Sequence, residues 1–254
     1  KPQAIANDLH PDYLSSQYAT ERANREGIPL IKIQHHHAHL ASCLVDNNWN
    51  SHQPVIGVIF DGTGLGTDGA IWGGEFLVGN YAGFERKIHL AYVPQPGGDS
   101  AIRNPYKMAL AHLWNANLPW SEKLSPTQFL KEGERNVLQK QLEQSVNAPL
   151  TSSMGRFFDA VSSMLGIRQT VNYEAQAAIE LEACCAAEEK GSYPFALSDD
   201  ILDPSPLWAA ILFDLKHKVS RERISARFHN SIALMVLTAC KQIQEETAIH
   251  TVVL

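Results

Sequence analysis

The densest chemistry in this chain of 254 residues lies in Gln34-His35-His36-His37-Ala38-His39-Leu40, where four of its eleven histidines fall within five positions. They follow a short apolar segment, Ile28-Pro29-Leu30-Ile31-Lys32-Ile33, which reads as a strand with Pro29 tolerable near its start. If the chain turns helical there, His35 and His39 are four apart and share a face, with Cβ atoms about 5–6 Å apart. Two neutral imidazoles so placed can ligate one metal ion. Structural histidines show the same spacing, so the pattern alone leaves both roles open. A purification tag is disfavoured by the internal position between Ile33 and Leu40. The metalloprotease pattern HExxH needs Glu directly after the first His, and here that position is His36, which argues against such an enzyme.

A second chemical feature is Asp61-Gly62-Thr63-Gly64-Leu65-Gly66-Thr67-Asp68-Gly69, a formal GxGxxG at Gly64, Gly66 and Gly69. A dinucleotide fingerprint requires a strand before and a helix after. The sequel here, Ala70-Ile71-Trp72-Gly73-Gly74-Glu75-Phe76-Leu77, reads as a strand, so the glycines describe a hairpin. Their backbone N–H groups can hold phosphate oxygens, or the hairpin can be a plain turn. Asp61 ends an apolar strand, and His35 lies just past the end of another. If those strands are neighbours with matching direction, Asp61 becomes a third ligand for a divalent metal with open positions. Equally, Asp61 simply starts the turn, as Asp often does before Gly.

These groups sit on ordinary globular elements. Hydrophobic residues make up 44% and charged residues 19%, as in soluble domains, and the length suffices for one large domain or two smaller ones. The net charge of −6, without a long Lys/Arg run, argues against nucleic-acid binding through a basic face. No apolar stretch approaches the roughly 20 residues that span a bilayer, so no membrane is expected. Cys43, Cys184, Cys185 and Cys240 form no CxxC pair, which fits a reducing cytoplasm. The start lacks an initiator Met, and Thr251 to Leu254 reads as a strand cut short, so the chain is expected to be a piece of a longer protein.

Pattern predicts a helix over 12–26, a strand over 28–33, a helix over 37–45 and a central strand over 55–60. Strands over 70–78 and 86–93 complete a meander, with a turn over 61–69 between the first two. Helices are expected over 105–115, 126–145, 156–165, 173–190, 206–216 and 221–247, with Ser153 capping the third. The last carries the stripe Ile224, Phe228, Ile232, Met235 and Ala239, read as core. A final strand over 251–254 rejoins a sheet.

With these elements placed, seven ordered motifs carry a resemblance. They are Asp8-Leu9-His10-Pro11-Asp12-Tyr13, Gln34 to His39, Phe60-Asp61-Gly62-Thr63-Gly64, Trp72-Gly73-Gly74-Glu75-Phe76, Gly97-Gly98-Asp99, Gly155 to Val161, and Tyr173-Glu174-Ala175-Gln176-Ala177-Ala178. Together they resemble the C-terminal domain of HypF, the carbamoyltransferase of nickel–iron hydrogenase maturation. That domain is similar to the TsaD tRNA threonylcarbamoyltransferases. The resemblance implies an α/β fold of the actin-like ATPase superfold, with mixed sheets and flanking helices, incomplete at both ends. It implies a β-rich metal- and phosphate-binding subdomain over 1–100 and a mainly helical nucleotide-side subdomain over 101–254. It also implies transfer of a carbamoyl group from carbamoyl adenylate, formed from carbamoyl phosphate and ATP in a separate domain, to the C-terminal Cys thiolate of HypE. The resulting thiocarboxamide becomes a cyanide ligand of the hydrogenase iron.

The same resemblance makes His35, His39 and Asp61 ligands of a divalent metal, Fe or Zn. Gly62, Thr63, Gly64 and Gly66 become the phosphate loop, and Gly155 and Asp159 positions near the nucleotide ribose. Partners would be HypE and the remaining domains of the same polypeptide. The family's Ser-Gly-Gly motif and a further metal Asp follow the strand corresponding to 251–254, so this chain stops before both. Weakened nucleotide binding is therefore expected. Ala175 stands where the family pattern has Gly. A mixed anhydride is already activated, so no nucleophile within the chain is required, and Cys43 is read as packing. Two other functions remain in view: an actin-like phosphoryl-transfer kinase or ATPase, and a non-enzymatic metal-binding assembly module.

Overall fold

A computed structural model of the chain describes residues 2–131 and 133–254. Strand β1 (Ile5–Asp8) leads into α1 (Leu14–Glu26), β2 (Leu30–Ile33) and α2 (His35–Asp46). The meander follows as β3 (Val55–Leu65), β4 (Ile71–Gly79) and β5 (Phe84–Leu90), antiparallel throughout. After β6 (Val93–Pro94) come α3 (Asp99–Arg103), α4 (Pro105–Asn115), α5 (Ser125–Phe129) and α6 (Glu134–Gln144). Then β7 (Leu150–Thr151) precedes α7 (Met154–Met164) and α8 (Gln176–Ala183). The hairpin β8 (Ala196–Ser198) and β9 (Ile201–Asp203), α9 (Ser205–Lys216), α10 (Arg221–Thr247) and β10 (Val252–Val253) come last.

The main sheet is mixed, ordered β10-β3-β4-β5-β9-β8, with β10 parallel to β3 as expected for a strand that rejoins a sheet. β1 and β2 form a separate parallel pair. Alternation along β3 explains why both sheet faces are covered. Ile56 and Val58 join a large core with Phe76, Met108, Phe157, Trp208 and Phe228, whereas Val55 and Ile59 pack with Leu40 and Leu44 of α2 on the other face. Leu40 and Leu44 are essentially inaccessible, so truncating either to Ala would cost roughly 2–5 kcal/mol. Helix ends obey local rules: Gln34 caps α2, Ser153 caps α7 and Ser220 caps α10 through side-chain oxygens, each contributing about 1 kcal/mol. Among the described residues no helix is long and apolar enough to cross a membrane.

Several expected boundaries move. The turn is confined to Gly66–Ala70, closed by Gly66 N–H donating to Ala70 O at 2.8 Å. Asp61 is therefore inside β3 rather than at its end, at an irregularity between Phe60 and Gly64. β2 and β3 belong to different sheets, so the neighbouring-strand route to Asp61 does not exist. The helix expected over 126–145 is broken into α5 and α6: Leu130 leaves α5 with an extended ψ of 135°, and Gly133, at φ 77°, precedes the start of α6. The one expected over 173–190 shrinks to α8, since Ala175 is left-handed with φ 59° and Cys184 ends it. β1 was not expected, because Asn7 and Asp8 are poor strand formers; pairing with β2 overrides their preference. β6, β7 and the β8–β9 hairpin were likewise unforeseen.

Candidate metal centre and adjoining cleft

Three elements bring one group of side chains together. β1 lies parallel to β2 with Asp8 opposite Ile33, which ends Asp8 beside the first turn of α2. Gln34 closes that turn: its Oε1 accepts from His37 N–H at 2.9 Å, and its amide donates to His36 Nδ1 at 2.9 Å and to Leu65 O at 3.2 Å. The last contact ties the start of α2 to β3. On β3 the backbone around Asp61 is held by α7, whose capping Ser153 hydroxyl lies 2.9 Å from the carbonyl oxygens of both Asp61 and Gly62.

The outcome is a convergence of His35, His39 and Asp61, with one ligand-type atom from each within 4.8 Å of the others. His35 Nε2 is 3.0 Å and His39 Nε2 3.7 Å from Asp61 Oδ2, and the two Nε2 atoms are 3.2 Å apart. His35 Nδ1 is 2.6 Å from Asp8 Oδ2. An ionised carboxylate only accepts, so Nδ1 donates to Asp8, and Nε2 is the ring atom aimed at Asp61. Asp61 Oδ2 is buried without a hydrogen-bond donor, whereas its Oδ1 accepts from Gly62 N–H at 2.6 Å. Asp61 Oδ2, His35 Nε2 and His39 Nε2 thus face one another across 3.0–3.7 Å. That donor set suits a divalent cation.

The other two histidines of the run point elsewhere. His36 is fully buried beside Trp72, and burial pushes its pKa down to about 4, so it stays neutral. His37 Nε2 meets Asn80 O at 2.7 Å, and its ring packs on Phe84. Helical geometry therefore divides one run of four into two converging and two packing side chains.

A cleft of about 700 Å³ opens beside the triad, lined by His35, Asp61, Gly62 and Thr63 on one wall and by Arg103, Arg156, Asp159 and Tyr173–Ala175 on the other. Gly155 sits under Gly62: a Cβ there would lie 3.0 Å from Gly62 Cα, so the start of α7 touches the β3 backbone. Gly64 and Gly66 do not line this cleft. A Cβ on Gly64 would collide with the His36 ring, and one on Gly66 with the Trp72 indole, so both glycines make room for packed rings. Asp159 is buried with Arg156 Nε 2.8 Å away; burial outweighs that cation and pushes its pKa up to about 6. Cys43 lies outside the cleft, in a groove of about 740 Å³ on the other side of His39.

Asp8, Arg103 and Arg156 were not among the expected site residues. Asp8 stands in the first quoted motif, but nothing in the spacing links it to His35, 27 residues on. Ser153 was legible only as a cap.

Residues 1–46 match the family described as "HypF Kae1-like domain", and residues 57–254 match "Carbamoyltransferase, Kae1-like Domain, second subdomain". The chain is 41% identical over 239 residues to carbamoyltransferase HypF of Rhodobacter capsulatus, covering 92% of this chain and 31% of that protein. It is 36% identical to carbamoyltransferase HypF of Synechocystis, covering 95% of this chain and 33% of that protein. Among solved structures, a full-length HypF in the phosphate- and nucleotide-bound form superposes with a TM-score of 0.89 at 36% identity, over 99% of this chain and 39% of that one. A HypF from T. kodakarensis gives 0.85 at 30% identity, over 98% of this chain and 34% of that one. The chain thus spans about a third of the length of these relatives. The α/β architecture is that of the HypF Kae1-like domains, within the actin-like ATPase fold family, as the motifs implied. On both family matches, the chain belongs to the HypF carbamoyltransferase family and carries its Kae1-like region in two parts.

Proposed function

We propose that this chain is the transfer module of a HypF protein, moving a carbamoyl group from carbamoyl adenylate to the C-terminal Cys thiolate of HypE. The observation that carries the reading is the meeting of His35, His39 and Asp61 at the mouth of a cleft walled by Gly62, Thr63, Arg103 and Asp159. In the transfer, the bond between the carbamoyl carbon and the phosphate oxygen breaks, a carbon–sulfur bond forms, and AMP leaves. The product is a thiocarboxamide, the precursor of a cyanide ligand on the hydrogenase iron.

His35, His39 and Asp61 would hold an Fe or Zn ion, with Asp8 orienting His35. When bound, such an ion supplies Lewis-acid polarisation of a ligand oxygen. Gly62 and Thr63 would offer backbone N–H groups to the phosphate, and Arg103 a balancing cation. Gly155 and Asp159 would serve the ribose side of the nucleotide, with Gly155 letting the start of α7 approach the β3 backbone. Residues 1–100 then act as the metal and phosphate side and 101–254 as the nucleotide side. Gly64 and Gly66 contribute by shaping the loop rather than by touching ligand. Cys43 faces another groove, so no covalent relay through it is needed. Four free cysteines suit a reducing cytoplasm, and the further domains of the same polypeptide would supply the adenylate.

The test is transfer of labelled carbamoyl from carbamoyl adenylate to HypE, using the full-length protein that carries this chain. His35→Ala should lower the rate at least 100-fold. Undiminished transfer in that variant would defeat the reading. ATP-dependent phosphorylation of an acceptor in place of carbamoyl transfer would favour the kinase alternative.

A further inference from the structure

The β3–β4 ladder runs in register from Val55 opposite Gly79 to Phe60 opposite Gly74, then resumes at Gly64 opposite Trp72. Asp61, Gly62 and Thr63 therefore face Gly73 alone. A bulge of this kind leaves the extra residues of the longer strand unpaired, disrupts the ladder locally and re-aims side chains. Here Gly73 N–H and Gly74 N–H both donate to Glu75 Oε1, at 3.0 and 3.1 Å. Ser152 Oγ donates to the same oxygen at 2.5 Å, and Arg86 Nε approaches Oε2 at 2.6 Å. Glu75 is fully buried, yet both carboxylate oxygens are satisfied and its charge is balanced by Arg86, itself stacked 4.0 Å over the Trp72 ring.

This anchor is directly joined to Asp61. Gly73 touches the bulge so closely that a Cβ would collide with Asp61 O. Ser152, which binds Glu75, is followed by Ser153, which holds the carbonyls of Asp61 and Gly62. The β4 side of the bulge is thus held through Glu75, and the β3 carbonyls through Ser153. We propose that Glu75 is a positioning residue: it stabilises the bulged register of β3 and thereby turns the Asp61 carboxylate toward His35 and His39. The proposal rests on the metal reading of that triad for its functional consequence.

The experiment compares the wild-type chain with Glu75→Gln, which keeps an acceptor for the two amides, and Glu75→Ala, which removes it. Leu142→Ala, a core truncation in α6 away from the triad, shows what destabilisation alone does. Amide hydrogen exchange at residues 61–64 is measured without metal, and Zn²⁺ affinity by calorimetry. Glu75→Ala should speed exchange at 61–64 and weaken Zn²⁺ binding roughly 10–100-fold, with Glu75→Gln recovering part of both. Leu142→Ala should lower the melting temperature without either effect. A folded Glu75 variant with wild-type exchange at 61–64 overturns the proposal. If Glu75→Ala does not fold, Glu75→Gln decides by the same measure. Wild-type protein that binds no Zn²⁺ defeats the metal reading, while the metal-free exchange still decides whether Glu75 positions the bulge.

Discussion

Asp8 Oδ2 lies 2.6 Å from His35 Nδ1, on the opposite side of the imidazole from the Nε2 atom that faces Asp61. The contact fixes both the tautomer and the ring plane of His35. Carboxylate–imidazole pairs of this kind raise the basicity of the ring as a ligand. Asp8→Asn should therefore weaken Zn²⁺ binding about 10–100-fold, with His35→Ala and Asp61→Ala weakening it further. Calorimetry on the purified chain measures this. An Asp8→Asn variant with unchanged affinity would mean that the Asp8 contact does not prepare His35 as a ligand.

The glycines beside the triad should respond unequally to a methyl group. Gly64→Ala forces a Cβ into the His36 ring and to within 3.0 Å of His35 Cδ2, so it should cost about 1–3 kcal/mol and disturb Zn²⁺ binding. At Gly62 the nearest atom to an added Cβ is Arg156 Nη2 at 3.7 Å, ordinary contact, so Gly62→Ala should leave stability within about 0.5 kcal/mol. Urea unfolding of the two variants makes the comparison. Equal stabilities would show that the His35–His36 turn yields freely.

Ala175 occupies a left-handed conformation with φ 59° and ψ 6° just before α8, which an L side chain adopts only at a cost. Ala175→Gly should stabilise the chain by about 1 kcal/mol, raising the melting temperature by roughly 2–4 °C. A drop in melting temperature would indicate that the Ala175 methyl group makes packing contacts worth more than the strain it causes.

Acid sensitivity should trace in part to His112, which is fully buried between Phe157 and Trp208. Burial pushes its pKa down to about 3, whereas the unfolded chain titrates near 6.5. Between those values the unfolded state binds one more proton, so stability falls as pH drops from about 6.5 toward 3, by about 1.4 kcal/mol per pH unit for this group. His36, also depressed by burial, adds a second proton down to about pH 4. His112→Phe should flatten the profile by one proton, measured as ΔG of urea unfolding between pH 7 and 4. An unaltered slope would mean that His112 is protonated in the folded chain.

The sequence by itself determined the elements whose cause is local. A continuous apolar run broken only by Gly57 marked β3, the stripe from Ile224 to Ala239 marked α10, and Ser153 announced the start of α7. The four-residue spacing of His35 and His39 was enough to put them on one face of α2. The seven motifs carried the family, because they are strings of residue types that need no geometry to be compared. Tertiary structure decided the rest. Asp61 reaches His35 through no strand pairing; α2 packs across β3, and Ser153, 92 positions later, holds the bulge at Asp61. β1 exists because β2 offers it a ladder, and its register alone sets Asp8 against His35. Gly64 and Gly66 read as ligand-binding glycines in sequence, and only the packed rings of His36 and Trp72 reveal what they make room for. The division has one physical origin: periodicity and caps act over a few residues, whereas bulges, registers and converging side chains depend on contacts between segments far apart in the chain.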